Sequence, residues 1–309
     1  MGGYMKKRNK ESSILFKRSG REKIIFGIVF AFMVIYSFTM LYALFFLITN
    51  SFESRLGYLD KLSSEGNPFA LPEVWHWENY AKAFGELSFT SVNTGKELGL
   101  GVMFLNSIWY IGFTVGGGIL ASAFMAYALS KYKFKANGFI YGVAIFSMTI
   151  PVVGNMGASF KLMSDLNIYN TPWYVILTCF SGTGFNFLIL YGVFKNISWS
   201  YAEAVFVDGG GHFTVFFRIM LPQAFTPMLA LAVVAAIGCW NDYMTPLLYL
   251  PDFPTVASGI YQIDLEFSRI GDIPATFAGL VISILPMLVL YAACSDIIMK
   301  NFTMGGLKG

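Results

Sequence analysis

Six stretches of the chain stay apolar long enough to cross a hydrocarbon layer, which takes about 20 helical residues for about 30 Å. They run 24–49, 102–129, 138–160, 172–194, 225–249 and 277–298. The first four hold no Asp, Glu, Lys or Arg, and the last two hold one acid each, Asp242 and Asp296. The pattern predicts an all-α integral membrane protein, a bundle of six transmembrane helices spanning 24–298. It leaves a basic tail at 1–23 and a short tail at 299–309. The connections are unequal. The first, 50–101, carries Pro68, Pro72 and a Trp75-His76-Trp77 cluster, and apolar spacing predicts a short helix near 77–84. The fourth, 195–224, is the longest loop between helices on its side of the bundle.

Composition agrees. Of 309 residues 56% are hydrophobic and 13% charged, where soluble domains carry about 25% charged residues. Length alone suggests about two soluble domains, but this composition argues for one bundle immersed in lipid. It argues against a disordered chain, a disulfide scaffold and a nucleic-acid domain, and a net charge of +3 is too small to point to a polyanion. The first apolar run has 26 residues, longer than the roughly 7–15 of a signal core. No small-x-small cleavage site follows it, so a retained helix is expected. Cys179, Cys239 and Cys294 fall in apolar runs without metal-ligand spacing and read as small buried hydrophobes.

Charge distribution sets the expected orientation. Eight basic residues precede the first span, Lys131, Lys133 and Lys135 sit in the second connection, Lys195 and Arg218 in the fourth, and Lys300 and Lys308 at the end. That places 15 on one side against six on the other: Arg55, Lys61, Lys82, Lys96, Lys161 and Arg269. Basic residues stay cytoplasmic, so both termini are expected inside a bacterial inner membrane.

Enzyme signatures are missing. His76 and His212 fall on opposite expected sides, and no HExxH, G-x-S-x-G or Walker A sequence occurs. Gly116-x-Gly118-x-x-Ala121 lies inside a lipid-length run, where Gly112 and Gly116, one turn apart, are better read as helix-packing positions. No catalytic or metal-ligating residues are expected.

The fourth connection is the most informative. Trp199–Val207 contains no helix breaker, Gly209, Gly210 and Gly211 allow a chain reversal, and Phe213, Phe216 and Phe217 recur at spacing three and four. A short helix, a glycine turn and a second short helix are predicted. Such a hairpin fits a partner's groove; it equally fits a loop packed on its own bundle.

The residues Glu203, Ala204, Asp208 and Gly209, followed by Phe216, Ile219, Leu221 and Pro222, resemble the "EAA" loop of bacterial ABC importer permeases. Val205 and Gly210 stand where that family usually has Ala, and Pro227 is one residue later than the family's second proline. The likeness extends to the carbohydrate-uptake branch, of the maltose-permease second-subunit and complex-polysaccharide kinds. It is carried by Asn106-Ser107, by Ala126-Tyr127-Ala128-Leu129-Ser130-Lys131, and by Ile150-Pro151. Trp240-Asn241-Asp242-Tyr243 with Pro246-Leu247, and the ending Gly305-Gly306-Leu307-Lys308-Gly309, complete it. The resemblance implies a type I ABC importer permease fold and a heterodimer with a second permease subunit. It also implies two cytoplasmic ATPase subunits that carry ATP and Mg, and an extracytoplasmic sugar-binding protein. No cofactor is implied on this chain. Glu203, Ala204, Asp208, Gly209 and Gly210, within a 203–211 loop, become the ATPase-coupling candidates.

Asp242 is the unusual membrane residue, because an ionisable group there faces a cavity or a partner. Trp240, Asn241 and Asp242 suit hydrogen-bonded recognition of a sugar, with Asn155 and Asn186 as further polar candidates for a substrate path. The competing reading has Trp240–Asp242 holding a helix bend near the outer interface. Asp296, four residues before Lys300, reads as an ordinary helix pair. The alternatives in function are an ABC permease for another solute and a secondary transporter or channel.

Overall fold

In the computed structural model the described residues are 20–63, 66–85, 87–91, 93–150, 154, 156–267 and 272–304, the last nine by backbone only. The chain divides into two units, Met1–Ile48 and Thr49–Gly309. The first is built on helix α1, Gly20–Ser51, whose last three residues belong to the second unit.

The second unit begins with the long connection. Two short helices, α2 (Arg55–Leu62) and α3 (Glu78–Gly85), precede a hairpin of β1 (Ser88–Thr90) and β2 (Glu97–Gly99), paired antiparallel with Phe89 opposite Leu98. The helix expected near 77–84 is α3. Phe52 gathers the aromatic cluster, with Trp75 at 5.0 Å, Trp77 at 4.6 Å and Tyr80 at 5.1 Å between ring centroids. Asn79 donates to the Ser51 and Glu53 carbonyls, and Lys61 pairs with the buried Glu53 carboxylate.

Helix α4, Leu100–Lys131, is the axis of the bundle. Around it run α5 (Asn137–Thr149), α6 (Met156–Asp165), α7 (Pro172–Cys179) and α8 (Phe185–Asn196). They are followed by α9 (Ser200–Val207), a helical run α10 (His212–Gln223) that contains a π-turn at Val215–Met220, and α11 (Phe225–Asn241). Last come α12 (Met244–Tyr249), α13 (Val256–Phe267) and α14 (Ile273–Met304). Helices α7, α8, α11 and α13 pack on α4. Small residues let them approach: a Cβ on Gly117 would stand 2.5 Å from the Cys179 sulfur, and one on Gly118 3.6 Å from the Cys179 carbonyl. The close approach is thus at 117 and 118, while Gly112 and Gly116 have nothing within 4 Å.

Among the described residues three helices are long and apolar enough to cross a membrane, α1, α4 and α14, and a fourth span results if α10 and α11, joined at a 69° bend, count as one. The third, fourth and fifth apolar stretches are each split. The third splits after Ile150, which takes an extended ψ of 115°; a following proline disfavours helical angles in the residue before it. The fourth splits at Gly182 and Gly184, with φ of +62° and +121°, angles that only glycine takes without strain. The fifth splits at Asp242, whose ψ of 102° ends α11 and whose carboxylate accepts from the Thr245 amide (3.0 Å) at the start of α12. Asp242 holds a helix break four residues before Pro246, whose missing N–H and ring bulk disfavour a continuous helix at the residue-242 carbonyl.

Candidate functional site

The hairpin predicted in the fourth connection is present. Helix α9 ends at Asp208, Gly209 takes φ +80°, and α10 opens at His212. Two backbone bonds close the turn: Gly210 N–H donates to the Val205 carbonyl (2.8 Å) and Gly209 N–H to the Phe206 carbonyl (3.1 Å). A Cβ on Gly210 would stand 2.5 Å from Val205 Cγ1. The turn is therefore tight at Gly210 and left-handed at Gly209, and the two glycines serve different physical needs.

The hairpin has two faces. Ala202, Val215, Phe216 and Met220 are buried in the core around α4 and α8. Phe216 stacks on Phe124 at 4.4 Å and meets Tyr127 at 4.9 Å. The other face carries Glu203, Ala204 and Asp208, all exposed, with Val207 88% and Phe213 76% exposed. The three phenylalanines do not form one apolar face: Phe216 points inward, while Phe213 and Phe217 are exposed. Both readings of the loop find their residues, one face packed on the bundle and one left open.

The substrate-path candidates are spread along the bundle. Trp240 is buried, donates its indole N–H to the Ser283 carbonyl (3.1 Å) and packs near Phe104, so it ties α11 to α14. Asn241 is exposed and donates to the Ile237 carbonyl of its own helix (2.8 Å). Asp242 lies within electrostatic reach of Tyr110 and Tyr174. Asn186 is half-buried in the first turn of α8, just after the 180–184 break that lies against Ala121. Along α4 these two levels, Tyr110 and Ala121, are roughly 16 Å apart at 1.5 Å per residue. Asn155 falls outside the described residues, and so do the side chains of Asp296 and Lys300.

One pair gains a role that composition did not reveal. Ser107 Oγ accepts from the Val256 amide (2.8 Å) and Asn106 donates to the Pro254 carbonyl (3.1 Å). Together they hold the N-terminus of α13 against α4, where Thr255 and Ser258 complete the cap. The sequence signal was the polar dipeptide inside an apolar run. Its partner, distant in sequence, is visible only in the fold.

Residues 118–303 match the family described as "Binding-protein-dependent transport system inner membrane component". The chain is similar to the probable ABC transporter permease protein YurM of Bacillus subtilis, 25% identical over 91% of this chain and 88% of that protein. It is also similar to the diacetylchitobiose uptake system permease protein NgcG of Streptomyces coelicolor, 28% identical over 90% of this chain and 87% of that protein. In fold it resembles a chain from the crystal structure of a bacterial ABC transporter involved in import of the acidic polysaccharide alginate. That likeness has a TM-score of 0.72 and 23% identity, covering 90% of this chain and 98% of that one.

Proposed function

The chain belongs to the family of binding-protein-dependent transport system inner membrane components, and from that premise we propose that it is the permease subunit of an ATP-driven importer of oligosaccharides or polysaccharide-derived sugars. As a membrane component of such a system it is the non-catalytic subunit. The carbohydrate reading is supported by the diacetylchitobiose system of one relative and the alginate system of the structural neighbour. In this reading the chain crosses the membrane six times between 24 and 298, with α5–α6, α7–α8 and α11–α12 as broken spans and both tails cytoplasmic. It pairs with a second permease subunit, two ATPase subunits and an extracytoplasmic binding protein.

The observation that carries the proposal is the two-faced hairpin. An exposed apolar tip of Val207 and Phe213, ringed by Glu203 and Asp208, is anchored to the bundle by Phe216. A hairpin held by one face leaves the other available to a partner's groove. The 203–211 turn, with Glu203, Ala204, Asp208, Gly209 and Gly210, then seats in the ATPase cleft. The substrate path runs past the helix breaks, because irregular backbone at membrane depth is stable where it is covered by protein or lines a wet cavity. Asp242, Asn241 and Trp240 at one level, and Asn186 beside the break at 180–184, supply polar groups, with Asn155 a further candidate from the sequence.

The test is ATP hydrolysis and uptake by the complex, co-expressed and reconstituted with its binding protein, against a panel of oligosaccharides, amino acids and peptides. Stimulation of hydrolysis and uptake by an oligosaccharide is the expected result, and Asp242→Ala should reduce uptake with assembly retained. Stimulation by amino acids or peptides alone would overturn the carbohydrate assignment.

A further inference from the structure

The hairpin does not touch the bundle at random. Its contacts on α4 fall at Phe124 and Tyr127, about one turn apart on one face near the end of that helix, and at Tyr132, the extended residue that follows it. Tyr132, the residue that closes α4, reaches both arms of the hairpin. Its ring meets Trp199, at the start of α9, at 5.7 Å, and meets His212, at the start of α10, at 5.4 Å. Its hydroxyl is hydrogen-bonded to His212 Nδ1 (2.9 Å) and to the Tyr127 hydroxyl (3.0 Å). His212 in turn packs on Phe206 of α9 at 5.0 Å. Lys131 donates to the Ile197 and Lys195 carbonyls, which closes the C-terminal end of α8 just before the hairpin begins. Asn137 donates to the Leu129 and Tyr132 carbonyls and fixes the end of α4 from the other side.

Helix α4 has 32 residues, on the order of 48 Å at 1.5 Å per residue. One end is seated in the hairpin. Near the other end, Asn106 and Ser107 hold α13 by its N-terminus. We propose that Tyr132 is a positioning residue for coupling, and that it locks the hairpin to α4, with Lys131 holding the end of α8 that leads into it, so that hairpin and helix move as one body and carry displacement of the hairpin to the cap of α13. This rests on the hairpin's being the ATPase-facing element, and it adds which span takes up the motion and through which side chains. The exposed tip, Glu203, Val207 and Phe213, is not part of this contact, so docking and transmission are separable.

The experiment uses the whole complex in membranes. Tyr132→Ala should leave ATPase recovery and basal hydrolysis at wild-type levels and lower uptake per ATP hydrolysed by roughly three- to tenfold, the range of a side chain lying within a coupling network. Tyr132→Phe keeps the ring contacts with Trp199 and His212 and should recover most of that loss, while the unchanged recovery of the ATPase in Tyr132→Ala separates uncoupling from loss of folding. A second variant, Tyr132→Cys with His212→Cys, should be uncoupled like Tyr132→Ala until a short bifunctional thiol reagent bridges it, and should then regain uptake per ATP, since the bridge joins parts that must move together. Wild-type coupling in Tyr132→Ala, or a further fall in uptake on bridging, would overturn the proposal. If Gly209→Val is itself silent, the hairpin assignment has failed. If Gly209→Val uncouples and bridging lowers uptake further, only this relay has failed.

Discussion

Gly209→Val should leave the protein inserted in the membrane, but should weaken ATPase docking and separate ATP hydrolysis from uptake. Gly209 sits at φ +80° between Asp208 and Gly210, where an L-residue costs about 1–2 kcal/mol and a β-branched one more. No heavy atom lies within 4 Å of the position its Cβ would take. The penalty is therefore in the backbone, and relief comes from opening the turn that the Gly210-to-Val205 bond closes. A spanning helix is untouched. Gly211→Ala is the matched control, because Gly211 has φ −95° and open space around it. Co-purification of the ATPase and sugar-stimulated hydrolysis should fall in Gly209→Val and stay unchanged in Gly211→Ala. Equal behaviour of the two variants would mean that the shape of this turn does not matter.

The second large effect is on stability. Phe216 is 2% exposed and lies between Phe124, Tyr127 and Phe194. Phe216→Ala removes that ring and leaves a cavity, at a cost of about 3–5 kcal/mol. Phe213→Ala changes a side chain that is 76% exposed, and surface changes of that kind stay within about 0.5 kcal/mol. Thermal unfolding of the purified complex should show a clear drop for Phe216→Ala and little change for Phe213→Ala. Recovery of the ATPase should show weakened docking in Phe213→Ala despite its stability. A large stability loss from Phe213→Ala, with none from Phe216→Ala, would reverse the two faces assigned to the hairpin.

The contrast between these two phenylalanines shows what the sequence could and could not reveal. Spacing of three and four put 213, 216 and 217 near one another on a short helix, yet the neighbours 216 and 217 stand at least roughly a quarter-turn apart around it, and the packed side takes Phe216 alone. The turn itself was legible, since three consecutive glycines after a breaker-free stretch leave few alternatives. The continuous spans were legible for a similar reason: hydropathy alone defines α1, α4 and α14. The broken spans were not. Glycines at 182 and 184 count as apolar in a hydropathy window, but their positive φ ends a helix. Asp242 was marked as exceptional because it is charged, and its bond to the Thr245 amide gives it a capping task that a one-dimensional pattern cannot separate from a ligand-binding one. Asn106 and Ser107 were visible as a motif, while their work on residues 254 and 256 depends on a contact across some 150 positions.

The most direct measurement of the central claim is thiol labelling of Val207→Cys, since this residue is 88% exposed at the hairpin tip, with Ser63→Cys as the opposite-side reference. An impermeant reagent added to intact cells should label Ser63→Cys and spare Val207→Cys. Once the membrane is opened, Val207→Cys should label readily in the permease alone and be protected when the ATPase subunits are bound. Labelling of Val207→Cys from outside, or equal labelling with and without the ATPase, would contradict the account.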